Sequence, residues 1–406
     1  MKKLLITFVM LLVSTLLVAQ SNTATVTQTG DENTGLVDQK GSSNTGTITT
    51  TGDKNKNDDT KWISWPNGVT GYMLAKGVTQ DGTGNTGSIL QNRHRSDAGI
   101  AQIGNTNNAE IIQDDPSNHS WGAENHAFVD QVGDLNESVQ NQQGRANSSY
   151  FRQVGSSNSA ESQQFDVYTS YTITEQIGNN NTSYQFQEFG DWTGSNHAVV
   201  NQKGNDNDAK QEQHGKGNNV SIRQQGHRNI ADQYMLGDDN DLQAVVAGSD
   251  NNVDQDAVGD NNFSYLSSSA NTHSNVMKSN QVGDNNYVNS RIYGNNASGS
   301  YSNDLDIFQD GDGNKSSNYV KGNDNELDVI QKGDGNIAGT NNNNRGISQI
   351  GDLNDADIYQ DGISNIAKIS QTGNSNVGSI TSNGTGHNGT ITQTGGMNNA
   401  VITQNP

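Results

Sequence analysis

The chain has 406 residues, a formal net charge of −21 at neutral pH and an isoelectric point near 4.5. Hydrophobic residues make up only 29% of it, well below the roughly 45–50% of globular domains, which excludes a conventional oily core. The strong acidity excludes nucleic acid and anionic lipid as expected partners. Polar, acidic chains are often disordered, but such chains are rich in proline, and this one contains only 3.

Residues 1–19 have the composition of a secretory signal peptide. Lys2 and Lys3 supply the basic start, residues 4–18 are apolar but too short to span a membrane, and Ala19 precedes the expected cleavage point. The chain has no cysteine, so we expect no lipoprotein anchor, no disulfide and no thiolate metal site. We predict a secreted protein in which residues 20–406 form a single unit without membrane insertion.

From Gln28 onward the sequence repeats with a period of eleven residues. The unit is Gln-x-Gly-x-x-Asn-x-small-x-apolar-x, as in QTGDENTGLVD at 28–38 followed by QKGSSNTGTIT at 39–49. A short fixed period along a whole chain is typical of stacked units. Extra residues interrupt the period at 56–79 and, more briefly, near 92–101, 114–124, 165–175, 188–195, 263–274, 293–302 and 341–348. In a stack we expect such residues to bulge outward as loops.

Each unit reads as one strand followed by one turn. In NDAKQEQ at 207–213, small and amide side chains alternate with charged ones, which predicts a strand whose uncharged side faces inward. The four residues before the next Asn contain glycine, which tolerates the positive φ of a tight turn. The predicted turn glycines include Gly204, Gly215, Gly226, Gly237, Gly248 and Gly259.

Two strands and two turns should close one coil of about 22 residues, and coils should stack about 4.8 Å apart. Asp follows the turn glycine in every second unit, at Asp238, Asp260, Asp284, Asp312 and Asp334, so alternate turns should lie at the same edge of the stack. The sequence therefore predicts an all-β fold, a cross-β solenoid with two strands per coil and roughly 13–15 coils.

The inward Asn and Gln side chains need hydrogen-bond partners, because an unpaired buried amide costs about 1–3 kcal/mol. Stacking supplies partners if each amide bonds to the equivalent residue of the next coil, as in cross-β ladders. The residues predicted to form this stacking ladder include Asn136, Gln142, Asn147, Gln153, Gln202, Asn207, Gln213, Asn218, Gln224, Asn229, Gln331, Asn354, Gln360, Asn365 and Gln371.

Chemistry of other kinds is not indicated. The 8 histidines are scattered without metal-ligand spacing, and no nucleophile or phosphate-loop motif is present. The acidic GDGN turns at 311–314 and 333–336 leave open a calcium site, but their period of eleven differs from that of calcium-binding β-rolls. An ice-binding row of threonines would need a more regular outward face. We predict no enzyme, no cofactor and no metal ion, and solvated carboxylates that burial leaves unperturbed.

The spacing Gln-x-Gly-x-x-Asn-x-Ala-x-x-x-Gln resembles the curlin repeat. It stands here as QIGNTNNAEIIQ (102–113), QKGNDNDAKQEQ (202–213), QIGDLNDADIYQ (349–360) and QTGGMNNAVITQ (393–404), and the resemblance covers nearly the whole chain after residue 19. The resemblance implies a stacked cross-β solenoid that is exported through an outer-membrane pore and polymerises into amyloid fibres of the biofilm matrix. Its implied partners are further copies of itself and curli-type secretion and nucleation proteins.

Two functions of different classes follow. The first is a structural one, an extracellular curli-like fibre subunit for cell adhesion and biofilm. The alternative is a monomeric surface solenoid, an adhesin that binds glycans or surfaces through its loops. An enzyme on a β-helix is a third class, which no feature of the sequence favours.

Overall fold

The computed structural model describes residues 21–55, 61–64, 70–73, 77–92, 94–114, 124–188, 195–294, 300–339 and 346–405. Within these residues every regular element is a β-strand, and no helix that could cross a membrane occurs. The strands, numbered in chain order, form two long parallel sheets and one small hairpin.

The first sheet contains sixteen strands, stacked in chain order. They are β1 (Thr23–Thr29), β3 (Thr45–Thr51), β7 (Thr86–Gln91), β9 (Asn108–Asp114), β11 (Glu137–Arg145), β13 (Ser159–Tyr168), β15 (Thr182–Glu188), β17 (Asp208–His214), β19 (Ile230–Leu236), β21 (Asn252–Val258), β24 (Val276–Val282), β27 (Asp304–Asp310), β29 (Glu326–Lys332), β32 (Asp355–Ile363), β34 (Val377–Thr385) and β36 (Asn399–Gln404).

The second sheet is stacked in the same way, from β2 at one end to β35 at the other. Its strands are β2 (Val37–Ser42), β6 (Gly77–Thr83), β8 (Asp97–Asn105), β10 (His126–Val132), β12 (Ser148–Val154), β14 (Tyr171–Ile177), β16 (His197–Asn205), β18 (Asn219–His227), β20 (Asp241–Ser249), β22 (Phe263–Ser268) with β23 (Thr272–His273), β25 (Tyr287–Tyr293) with β26 (Ser300–Tyr301), β28 (Lys315–Lys321), β30 (Ile337–Ala338) with β31 (Ile347–Ile350), β33 (Ile366–Thr372) and β35 (Asn388–Thr394).

Each coil contributes one strand to each sheet, and neighbouring coils pair in parallel. Asp208 of β17 lies beside Ile230 of β19, 22 residues later, and Ile230 lies beside Asn252 of β21. The stack comprises about 15 such coils. The prediction of an all-β solenoid with two strands per 22-residue coil is thereby confirmed.

The strands begin one residue later than the sequence pattern suggested. The predicted strand 207–213 is observed as Asp208–His214. The reason is that the backbone N–H of each anchor Asn is not part of the strand ladder. In Asn229, for example, it donates to the side-chain oxygen of Asn207, at 3.2 Å.

The interior between the two sheets is partly apolar and partly polar. Buried Ile, Val, Leu and Ala side chains form one cluster from Ile48 to Ala160 and another from Val200 to Ile391. Between them the interior is rich in hydroxyl groups that pair with one another, as in the 2.8 Å contact between the Ser162 and Thr172 hydroxyls. This paired polar interior explains how a chain so poor in hydrophobic residues encloses a core.

The predicted interruptions differ in kind. Within 56–79, β4 (Lys61–Ser64) and β5 (Thr70–Met73) form an antiparallel hairpin, and the remaining residues up to 76 lie outside the described part. Residues 77–79 already belong to β6, so this interruption ends earlier than expected. The interruption at 165–175 is not a loop. β11 pairs Gln142 with Gln164 but Gly144 with Val167, so the extra residue is absorbed as a β-bulge.

The coil period can be checked with engineered disulfides, because the chain has no cysteine of its own. Ser221 and Gln243 are paired in adjacent strands, where Cα atoms lie about 4.8 Å apart, within the range that a disulfide bridges. Ser221→Cys with Gln243→Cys should cross-link under mild oxidation, as mass spectrometry of the digested protein would show.

The control pairs Ser221→Cys with Asp232→Cys, which are separated by 11 residues and lie on opposite sheets. This pair should stay reduced within one chain. Efficient cross-linking of the control pair would contradict the two-strand coil.

Candidate assembly site: amide ladders and turn glycines

The anchor Asn side chains link each coil to the one before it. Asn207 Nδ2 donates to Asn181 Oδ1 of the preceding coil and to the carbonyl of Gly226, which closes the coil that Asn207 opens, both at 2.9 Å. Asn229 Nδ2 then donates to Asn207 Oδ1 at 3.0 Å and to the Gly248 carbonyl at 3.0 Å. Each Asn side chain therefore holds together two coils and one turn.

The Gln side chains form a second kind of ladder with a single direction. Gln202 Nε2 donates to Gln224 Oε1 of the following coil at 2.8 Å, and Gln142 and Gln331 donate in the same sense. Gln202 Nε2 also donates to the Thr182 carbonyl of the first sheet at 2.9 Å. The Gln amides therefore join successive coils and also tie the two sheets together across the interior.

The structure places all fifteen predicted ladder residues in the interior, each at most 1% exposed. Most bond to an equivalent amide of a neighbouring coil. These pairs include Asn136 with Asn107, Gln142 with Gln164, Gln153 with Gln176, Asn218 with Asn240, Gln331 with Gln360, Asn354 with Asn325, Asn365 with Asn336 and Gln371 with Gln393. Asn147 differs, because Ser170 stands in the next coil and its backbone N–H donates to Asn147 Oδ1.

The Gln ladder is interrupted in the middle of the stack. In the first sheet Gln213 is followed by Met235 and Ala257, and in the second sheet Gln224 is followed by Val246. These replacements are fully buried, and Met235 and Ala257 pack in one apolar cluster with Leu242. The Asn ladder continues through the same coils, from Asn229 to Asn251 and Asn275. Gln is therefore exchangeable for apolar packing here, whereas Asn is retained.

The six predicted turn glycines all have positive φ. The values are 123° for Gly204, 118° for Gly215, 130° for Gly226, 127° for Gly237, 106° for Gly248 and 117° for Gly259. Space is restricted as well, since a Cβ on Gly226 would lie 1.8 Å from the carbonyl oxygen of Gly248 in the next coil. Glycine is thus required twice, for its backbone conformation and for the close approach of stacked turns.

A second conformational requirement at the turns was missed from the sequence. The residue just before each anchor Asn is left-handed, with φ near 58° at Asp206, 54° at Arg228 and 59° at Leu135. A left-handed backbone is uncommon for Leu, so the residue types at this position did not indicate the conformation. The constant Gly-x-x-Asn spacing could have revealed the position, because it leaves the same residue to complete every turn.

Acidic side chains lie at one edge of the stack, as the alternate-unit pattern indicated. The carboxylate of Asp260 accepts the backbone N–H of Asp238 at 2.7 Å, and Asp284 and Asp312 extend this row in the same manner. No group of three or more His, Asp and Glu in the described residues has an arrangement that could hold a metal ion.

The expectation that burial leaves the carboxylates unperturbed is wrong for part of the first sheet. Burial, together with the neighbouring carboxylates Asp254 and Asp232, raises the pKa of Asp256 to about 6. Burial and four acidic neighbours, Asp357 first among them, likewise raise the pKa of Asp328 to about 6. Outward positions were expected to stay solvated, but stacking partly covers their carboxylates, and it also places like charges one strand spacing apart.

The ladder and turn geometry can be compared with known proteins. The Curlin associated repeat pattern matches residues 19–52, 302–333, 322–362 and 340–373. The chain therefore contains curlin-associated repeats in these regions. The matched regions contain Gln331, Asn354, Gln360, Asn365 and Gln371. The central coils lie outside these regions and have the same bonding pattern. The family is a structural one associated with extracellular fibres. No curated protein matches the chain.

Replacing a turn glycine tests the close approach of the turns. Gly226→Ala would force Cβ against a backbone carbonyl and strain a φ of 130°, so we expect a loss of about 2–6 kcal/mol and a lower urea midpoint. Gly313→Ala is the matched control, because its φ is 68° and its Cβ would meet nothing within 4 Å. The control should lose only about 1–2 kcal/mol. Equal losses would contradict the steric argument.

Replacing the ladder amides separates hydrogen bonding from hydrophobic burial. Asn207→Leu with Asn229→Leu keeps the approximate volume and adds apolar surface. It leaves the Gly226 and Gly248 carbonyls without their amide donors, and the backbone N–H groups of residues 229 and 251 without their side-chain acceptors. We expect destabilisation of about 1–3 kcal/mol for each lost partner, measured by urea unfolding. The surface variant Lys210→Leu should leave the midpoint nearly unchanged. A double variant as stable as the parent would refute the ladder as the source of stability.

The raised carboxylate pKa values predict a pH dependence of stability. The ordinary pKa of Asp is 3.8, so between about pH 4 and 6 the folded stack retains protons on Asp256 and Asp328 that the unfolded chain has lost. Stability should therefore fall as pH rises through this window and stay low above it. Asp328→Asn should raise the urea midpoint at pH 7 and reduce the difference between pH 4.5 and pH 7.

The control is Asp250→Asn, because the Arg228 guanidinium holds the pKa of Asp250 below its usual value. This variant should not stabilise the protein at pH 7. If both variants changed the midpoint alike, the effect would reflect net charge rather than the stacked carboxylates.

Proposed function

We propose that the chain is the subunit of an extracellular, curli-like amyloid fibre in which copies stack end to end. The observation that carries the proposal is the state of the core at the end of the stack. Val26 of β1 occupies an inward position and pairs with Ile48 of the next coil, but Val26 is 44% exposed whereas Ile48 is fully buried. An apolar interior left uncovered at its end is a surface that another coil would bury.

Both ends of the stack also have open strand edges. Among the described residues, β1 pairs with β3 on one side and with no strand on the other, and β36 likewise pairs only with β34. A parallel strand with a free edge is a template for another strand. With β1 of one copy on β36 of another, the first sheet would continue, Gln28 would lie beside Gln404, and Asn22 would lie beside Asn398.

The direction of the hydrogen bonds makes the two ends complementary. Gln Nε2 donates toward the β36 end, as Gln371 does to Gln393, and the backbone N–H of each Asn donates toward the β1 end, as Asn398 does to Asn376. The Gln404 amide and the Asn398 oxygen would therefore meet an acceptor and a donor on the next copy. Such a head-to-tail contact does not close on itself, so it produces a filament.

The cellular role follows from the curlin-repeat family. We propose that residues 1–19 are removed on secretion, that residues 20–406 act as one unit, and that the fibres serve cell adhesion and biofilm at the cell surface. Curli-type secretion and nucleation proteins would be its partners. The proposal involves no enzymatic activity, no cofactor, no nucleic acid and no insertion into a membrane.

Electron microscopy and Thioflavin T fluorescence of purified 20–406 test the proposal. The chain should form fibres with a 4.8 Å cross-β repeat. Val26→Lys should fold with an unchanged circular dichroism spectrum but lose seeded elongation at least about tenfold, because the charge blocks the uncovered core. Val401→Lys is the control, since Val401 is 66% exposed at an outward position of β36. A wild-type chain that stays monomeric under all conditions would favour the solenoid adhesin instead.

A further inference from the structure

The outward faces of the two sheets carry very different charges. The outward positions of the first sheet hold eighteen carboxylates and three lysines, and we call this surface the acidic face. They are Glu110, Asp114, Glu137, Glu161, Glu188, Asp208, Glu212, Asp232, Asp254, Asp256, Asp304, Asp306, Asp310, Glu326, Asp328, Asp355, Asp357 and Asp361, with Lys210, Lys278 and Lys332.

The outward positions of the second sheet hold eight cations and six carboxylates, and we call this surface the cationic face. They are Lys40, Arg152, Lys203, Arg223, Arg291, Lys315, Lys321 and Lys368, with Asp38, Asp81, Asp97, Asp130, Glu175 and Asp241. Because the two sheets lie back to back, these opposite charges are presented on opposite sides of one stack.

Charges of opposite sign are concentrated on the two faces at heights that differ by one to two coils. On the acidic face, Asp306, Asp328 and Asp357 stand in register on β27, β29 and β32. On the cationic face, Arg291, Lys315 and Lys321 lie on β25 and β28, one to two coils earlier in the stack.

A second pair of clusters has the same displacement. Lys203 and Arg223 lie on β16 and β18, and Asp208, Asp232 and Asp254 lie on β17, β19 and β21. A single shift of one to two coils between two side-by-side copies would therefore bring both cationic clusters opposite acidic ones.

Four of the five cations of these clusters form no ion pair among the described residues, and the fifth, Arg291, lies over an aromatic ring. The ion pairs formed among the described residues include Arg152 with Glu175 and Arg228 with Asp250, but none involves Lys203, Arg223, Lys315 or Lys321. Arg291 lies 5.3 Å from the centre of the Tyr265 ring, and Tyr293 stacks on Tyr319 at 5.2 Å. Arg and Tyr are among the residue types that contribute most to the affinity of protein interfaces.

We propose that fibres associate side by side in parallel, the acidic face of one copy resting on the cationic face of the next with a shift of one to two coils. Side chains of successive coils are spaced about 4.8 Å apart along the axis on both faces. The contacts between two copies therefore keep the same register along the whole stack. One whole face, seven residues wide and 15 coils long, offers about 1,600 Å², above the roughly 800 Å² per partner of a stable interface. In a pair of copies, one copy still exposes its acidic face and the other its cationic face. Further copies can therefore add on both sides, which produces bundles.

This inference extends the proposed fibre function, and its test uses variants that invert charge on one face at a time. Lys315→Glu with Lys321→Glu alters the cationic face. The matched control, Lys278→Glu with Lys332→Glu, makes the same change of charge on the acidic face. Fibre width is measured by electron microscopy at about 20 mM and 500 mM salt, since the higher concentration screens the contact.

We expect wild-type fibres at low salt to be bundled, at least about twice the width of single filaments, and to separate at high salt. The cationic-face variant should give single filaments at low salt, and the acidic-face control should remain bundled. Mixing the cationic-face variant with Asp328→Lys, Asp357→Lys chains should restore bundling, because the charges are then exchanged across the contact.

Several results would overturn the proposal. Equal loss of bundling in both charge variants would show that net charge, not facial complementarity, controls association. Wild-type fibres that remain single filaments at low salt would also overturn the proposal. This holds whether the cationic face is then unoccupied or binds an anionic polysaccharide. If no fibres form, the lateral contact can still be tested with the Val26→Lys chain, whose end-to-end association is blocked. Analytical sedimentation at low salt then measures whether this chain associates. A wild-type-like tendency to associate there supports it, and a strict monomer refutes it.

Discussion

The structure depends on one interaction, the Asn side chain that opens a coil bonding to the Gly carbonyl that closes it. In the coil that begins at Asn207, the amide holds the turn at Gly226 while the side-chain oxygen accepts bonds from Asn229 of the next coil. The same turn is possible only because Gly226 lacks a Cβ. The backbone polar groups of a tight turn, which would otherwise be buried without partners, are thereby satisfied coil after coil.

The unusual composition follows from this interaction. A stack whose turns are fixed by amides does not need a continuous apolar core, and its interior alternates between Ile- and Val-rich coils and coils lined by Ser, Thr and Gln. Gln can be lost wherever an apolar side chain fills the space, as at Met235 and Val246. Where Asn is lost, at Ser170, the replacement hydroxyl still accepts the backbone N–H of Asn196 in the next coil. The acceptor is therefore kept at Ser170, whereas at Ser96, another anchor position without Asn, the buried hydroxyl has no hydrogen-bond partner among the described residues.

Much of this architecture could be predicted from the sequence, because it is encoded as periodicity. Alternation by two gave the strands, the Gly-x-x-Asn spacing gave the turns, and the Asp residues of alternate units identified one edge. What could not be predicted depends on three-dimensional packing. Leu135 and Arg228 adopt a left-handed backbone because the turn imposes it, not because of their side chains. The raised pKa of Asp328 likewise depends on packing, first through burial and then through carboxylates up to 29 residues away that stacking brings alongside.

The most direct test of the account is to observe the Asn ladder itself. Solid-state NMR of the protein labelled with ¹⁵N and ¹³C in Asn and Gly would detect which side chains are in contact. The account predicts cross-peaks from the Asn207 amide to the Asn181 side chain and the Gly226 carbonyl, and from Asn229 to Asn207. Contacts from Asn207 to Asn218, or a fast-exchanging Asn207 amide with no such contacts, would contradict it.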